Sequence, residues 1–120
     1  MSLTTCYEAL GGNYALALER LRSERLLNKF VLKFLDEKSY EVLLQAVEEK
    51  NGEEAFRAAH TLKGVCLNLS FDRLFKSADA MSEALRHGWT DDALELIAPL
   101  KADYEQTVAA IRAYQAESGI

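Results

Sequence analysis

Apolar residues recur at spacings of three and four along nearly the whole of this 120-residue chain. The pattern runs through Leu26, Leu27, Phe30, Val31, Phe34 and Leu35, then through Val42, Leu43, Ala46 and Val47. It resumes at Phe71, Leu74, Phe75, Ala78, Met81 and Leu85, and again at Ala93, Leu94, Ile97, Leu100, Tyr104, Val108 and Ile111. A helix advances about 100° per residue, so such spacing gathers apolar groups into one stripe that must be buried. No segment alternates with the period of two that a half-buried strand requires. The expected fold is all-α, an antiparallel helical bundle, with residues 1–120 forming a single domain.

Capping residues divide the pattern into elements. Thr4 or Thr5 is expected to cap a short first helix that Gly11-Gly12 ends, and Asn13 to open Tyr14 to Leu21. Ser23 starts the next stretch, and Ser39 reads as the N-cap of a helix from Tyr40 to about Lys50. Asn51-Gly52 is a turn signal before a helix from about Glu53 to Leu69. Ser70, with Asp72 just inside, predicts the start of another helix that runs to His87 and stops at Gly88. Thr90-Asp91-Asp92 should cap the last helix, which Pro99 is expected to kink or divide because proline removes a backbone donor.

The bulk composition excludes several classes. With 14 Lys+Arg against 19 Asp+Glu the net charge is −5. A general nucleic-acid binder or an acidic-membrane binder wants the opposite sign. No apolar run approaches the ~18 residues of a membrane span, and the first residues carry Glu8 and lack a basic leader. The expectation is a cytoplasmic monomer whose cysteines, Cys6 and Cys66, are free thiols. No Gly-rich phosphate loop, Glu-x-x-His pair or carboxylate cluster near His60 signals a nucleotide or a metal, so no cofactor is expected.

His60-Thr61-Leu62-Lys63-Gly64 stands out because the apolar stripe of its helix does not include the histidine. Ala55, Ala58, Leu62, Val65 and Leu69 cluster on one side, with Ala59 and Cys66 flanking them. His60 lies nearly opposite, among Glu53, Phe56, Arg57, Lys63, Gly64 and Leu67. Lys63 and Gly64 are its neighbours at three and four residues. A mid-helix glycine costs about 1 kcal/mol relative to alanine, so Gly64 reads as clearance for another molecule. Phe56 and Leu67 place two large apolar groups on the face that should be wet, a partner-surface signal. Arg57 either assists there or is a solvated charge paired with Glu53. His87 reads as a helix-end cation, Trp89 as a staple of the helix connection, Cys66 as a small buried hydrophobe, and Tyr104 and Tyr114 as packing.

The run Arg57-Ala58-Ala59-His60-Thr61-Leu62-Lys63-Gly64 resembles the phosphorylation motif of histidine-containing phosphotransfer (HPt) domains. One departure is Ser70, standing where that family has a second glycine. The resemblance implies an antiparallel four-helix bundle with additional short N-terminal helices, and a phosphorelay intermediate: His60 would accept a phosphoryl group from an aspartyl phosphate on a receiver domain and pass it to another receiver. Imidazole titrates near pH 6.5 in general, which leaves a competent nucleophile at physiological pH. A phosphoryl group adds roughly −1.5 to −2 charge, for which Lys63 is the expected partner. Phe56, Arg57 and Leu67 would then belong to the partner-binding surface, and Ser82 on the following helix would be placed to orient the ring.

The implied partners are response-regulator receiver domains and a sensor histidine kinase. Mg²⁺ is expected on the receiver only, so the chain would be a phosphocarrier rather than an enzyme. Two alternatives stand beside this reading. One is a receiver-binding adaptor that does not transfer. The other is an HPt module cut from a larger, chemotaxis-type sensor kinase and phosphorylated by ATP through a kinase domain.

Overall fold

The computed structural model describes residues 1–118, and every regular element among them is helical. Three short N-terminal helices come first: α1 (Leu3–Leu10), α2 (Tyr14–Leu21) and α3 (Glu24–Lys33), the last tightening into a 3₁₀ turn over Phe34–Asp36. The antiparallel bundle proper is α4 (Ser39–Glu48), α5 (Gly52–Leu69), α6 (Asp72–Leu85) and α7 (Asp92–Glu117). Helix α5 packs against both α4 and α6, while α7 packs against α6 and α1.

The core follows the stripes. Leu43, Leu62, Leu74, Met81, Leu85, Leu100 and Ile111 are all fully buried. Phe71 joins the N-terminal helices to this interior, its ring 5.6 Å from that of Tyr7 and 5.2 Å from that of Phe34. Tyr40 stacks on Tyr104 with centroids 3.6 Å apart, tying α4 to α7. Aromatic pairs of this kind contribute about 0.5–1.5 kcal/mol beyond their burial.

Several capping expectations hold and several do not. Asn13 Oδ1 accepts from Leu16 N–H at 3.0 Å and Ser23 Oγ from Leu26 N–H at 3.2 Å, as anticipated. The first helix is capped instead by Ser2, whose Oγ accepts from Thr5 N–H at 3.1 Å, two residues before Thr4 and three before Thr5. Ser39 is the first residue of α4 rather than its cap; Glu37 Oε1 takes the Ser39 N–H at 2.5 Å. Asn51 caps α5 through Glu54 N–H at 3.1 Å, so the Asn-Gly signal marks a helix start. Gly52 is required there, because an added Cβ would lie 2.5 Å from Trp89 N.

Ser70 ends α5 in the left-handed region (φ 55°, ψ 42°) and does not cap α6 with its side chain. Helix α6 closes at Leu85, short of His87. Helix α7 is not divided at Pro99. Pro99 and Glu95 are both exposed, so the carbonyl that proline leaves without a donor can be solvated. Thr90 Oγ1 accepts from Asp92 N–H at 3.3 Å at the start of α7, while Asp91 makes no side-chain cap.

Candidate functional site

Helix α5 carries the candidate residues, and its rotational phase sets what each can do. Ala55, Ala58, Ala59, Leu62, Cys66 and Leu69 are buried, which turns His60 outward, exposed near the helix middle. Val65, expected in the core, is half-buried at its edge. His60 is not unsupported: the Phe56 ring lies one turn earlier with centroids 5.8 Å apart and planes inclined by 24°. Phe56 itself is half-buried against the core, so it anchors one face of the imidazole and leaves the ring edge to solvent. Mid-helix backbone donors are already used by the helix, so the stabilisation of an added anion must come from side chains.

Arg57 and Lys63 are the side-chain cations three residues either side of His60, with Lys63 at the i+3 position. The Lys63 ammonium contacts Asp79 Oδ1 on α6 at 3.2 Å. Asp79 carried no sequence signal, since which residue of α6 faces Lys63 depends on how the two helices are phased. One turn further along α6, Glu83 pairs with Arg86. The hydrogen bond from Arg86 holds the Glu83 carboxyl below its ordinary range against an opposing desolvation, with lesser contributions from the charges of Arg86, Lys63 and His87.

A Cβ built on Gly64 would meet nothing within 4 Å. No packing inside this chain therefore requires the glycine, and a side chain there would extend into open space beside His60. Leu67 follows two turns after His60 at 46% exposure, a large apolar group facing water. Arg57 forks between Glu53 and Glu54, both at 3.2 Å, so of its two readings the structure shows the paired one. Thr61 Oγ1 donates to the Arg57 carbonyl at 3.0 Å.

Ser82 does not orient the imidazole. The residue is fully buried and its hydroxyl has no hydrogen-bond partner. Its place along α6 suggested reach toward His60, but its rotational phase puts it on the core stripe with Ala78, Met81 and Leu85.

Two grooves flank the motif helix. One, of about 710 Å³, opens between α2, α3 and the C-terminal half of α5, with Leu21, Phe30, Phe34, Val65, Asn68 and Leu69 among its walls. The other, of about 380 Å³ and more polar, lies between the 3₁₀ turn, α4 and α5, where Glu37, Ser39, Glu54, Arg57 and Thr61 contribute.

The N-terminal helices secure the end of α5. Tyr7 Oη donates to the Leu69 carbonyl at 2.7 Å, and Asn13 N–H donates to the Ser70 carbonyl at 2.9 Å. The Arg20 guanidinium donates to the Leu67 carbonyl and lies 3.5 Å from Ser70 Oγ. A Cβ on Gly12 would sit 2.6 Å from the Ser70 carbonyl, so that close approach needs glycine. A left-handed non-glycine costs roughly 1–2 kcal/mol. At Ser70 the contacts from Asn13 and Arg20 help to hold the conformation where a glycine would need no help.

Burial pushes the Cys6 thiol up to about 11 and raises the Cys66 thiol further, so both are neutral, buried and free. Among the described residues no trio of His, Cys, Asp and Glu is placed to hold a metal, and no helix is long and apolar enough to cross a membrane.

A family model described as Hpt domain matches residues 33–113. The matched span begins at the end of α3 and takes in α4, α5, α6 and most of α7, with His60, Lys63 and Gly64 inside it. No curated protein and no solved structure matches this chain.

Proposed function

The chain belongs to the Hpt domain family, whose members carry phosphoryl groups in two-component signalling, and from that premise we propose that His60 is the carrying residue. It accepts a phosphoryl group from the aspartyl phosphate of one receiver domain and passes it to another. The observation that carries this reading is the outward, Phe56-backed imidazole with Lys63 at i+3 and open space over Gly64.

In the accepting step a lone pair on one ring nitrogen of neutral His60 forms the N–P bond. The P–O bond of the acyl phosphate breaks, and its electron pair leaves with the receiver's carboxylate. The proton on the other ring nitrogen stays, so the product is a phosphoryl-imidazolium and no base is needed. The Lys63 ammonium offsets part of the added charge. Gly64 admits the receiver, and Phe56 and Leu67 contribute apolar contact. Mg²⁺ and the rest of the transfer machinery belong to the receiver, and a sensor histidine kinase lies upstream.

The test is incubation with a phosphorylated receiver, scoring label on this chain that survives alkali and is lost in acid. Wild type should take the label and His60→Gln should not. Equal labelling of the two would refute the assignment, and receiver binding without any transfer would turn the reading to an adaptor.

A further inference from the structure

Lys63 does not wait free beside His60. Its ammonium is held across the α5–α6 interface by Asp79, with the lysine side chain 22% exposed and that of Asp79 40%. Glu83, the next acid on that side of α6, is taken up by Arg86. Two acids and two bases thus make a locally neutral strip while His60 is bare. A phosphoryl group on His60 would bring roughly −1.5 to −2 charge near the same ammonium. One cation would then have two anionic claimants, and Asp79 carries the same sign as the newcomer.

On this geometry, and resting on the phosphotransfer reading of His60, we propose that Asp79 is a positioning residue acting through Lys63. It holds the lysine while His60 is bare and loses part of that hold when His60 is phosphorylated, which weakens the site's grip on the phosphoryl group and favours release. The reasoning is linkage: an interaction stronger in the bare state than in the loaded state lowers the loading equilibrium by the same factor. Pairs as exposed as this one couple weakly, which sets the expected effect at about two- to five-fold.

The chain is loaded with phosphoramidate as a chemical donor, the excess is removed, and a purified receiver domain is added. Phosphorus NMR then gives the partition of the phosphoryl group between His60 and the receiver. Asp79→Asn, close to isosteric and only half-buried, should shift the partition toward His60 by about two- to five-fold. Asp79→Glu should stay near wild type, and the shift should vanish when Asp79→Asn is made in a Lys63→Ala background. An unchanged partition in Asp79→Asn, or one moved toward the receiver, overturns the proposal. So does an equal shift in the Lys63→Ala background, since the effect would then not pass through the lysine. If neither phosphoramidate nor a phosphorylated receiver loads wild-type His60, the phosphotransfer reading falls, and this inference with it.

Discussion

Phe56 backs the imidazole of His60, the two rings nearly parallel at 24° with centroids 5.8 Å apart. One side chain therefore serves two surfaces, because Phe56 is also packed against the core. The position of the imidazole is coupled to the interior through this ring rather than through a hydrogen bond from the neighbouring helix.

Phe56→Ala should accordingly slow phosphoryl transfer from a receiver by about two- to ten-fold, the range an aromatic pair of about 0.5–1.5 kcal/mol supports. Single-turnover transfer rates report this, and Phe56→Leu, which restores bulk but not the stacked face, should recover only part of the loss. A rate equal to wild type in Phe56→Ala would show that the stack does not position the ring.

Gly64→Gln should separate folding from function. Open space surrounds the position, and glutamine is the better helix former by roughly 0.5–1 kcal/mol. Thermal unfolding should therefore occur at an equal or higher temperature, while transfer falls by roughly ten-fold or more because the receiver is held off its approach. Normal transfer in this variant would remove the steric role of the glycine.

Ser82→Ala should stabilise the protein. The wild-type hydroxyl is buried without a partner, and relieving that burden is worth about 1 kcal/mol. Urea unfolding should show a higher midpoint with an unchanged slope, and transfer should proceed at the wild-type rate. A slowed transfer would return Ser82 to the role of ring orienter that its place in the sequence suggested.

The buried thiols predict an alkaline limit to stability. Cys6 titrates at about 11 in the folded chain against 9.0 as its reference value, because burial penalises the thiolate. Between these values the unfolded chain has already lost the proton that the folded chain keeps. The stabilisation is complete below pH 9 and is lost as pH rises through about 11. Melting temperatures measured from pH 8 to 11 should fall across that window, and Cys6→Ala should flatten part of the decline.

The sequence was most legible where a helix had to bury one stripe. Tyr14–Leu21 appears with the expected bounds, and α5 differs only in starting at Gly52, because capping and periodicity act within a turn of each other. It was less legible at caps where several candidates stood side by side. Ser2 won over Thr4 and Thr5, and Ser39 became the first residue of α4, its own N–H taken by Glu37. Of the two outcomes expected at Pro99, division does not occur: a local cost of a few kcal/mol is outweighed where α7 packs against α1 and α6.

The sequence by itself determined that this chain is an all-helical bundle and that His60 faces away from the core. Both follow from angular spacing within a single helix, which needs no knowledge of neighbours. Only the tertiary structure decided that Lys63 is held by Asp79, that Ser82 is buried and unpaired, and that Tyr7, Asn13 and Arg20 secure the end of α5. Those relationships depend on how one helix is rotated and shifted against another. That rotation comes from side chains packing across the whole interface, and no short stretch of residues encodes it.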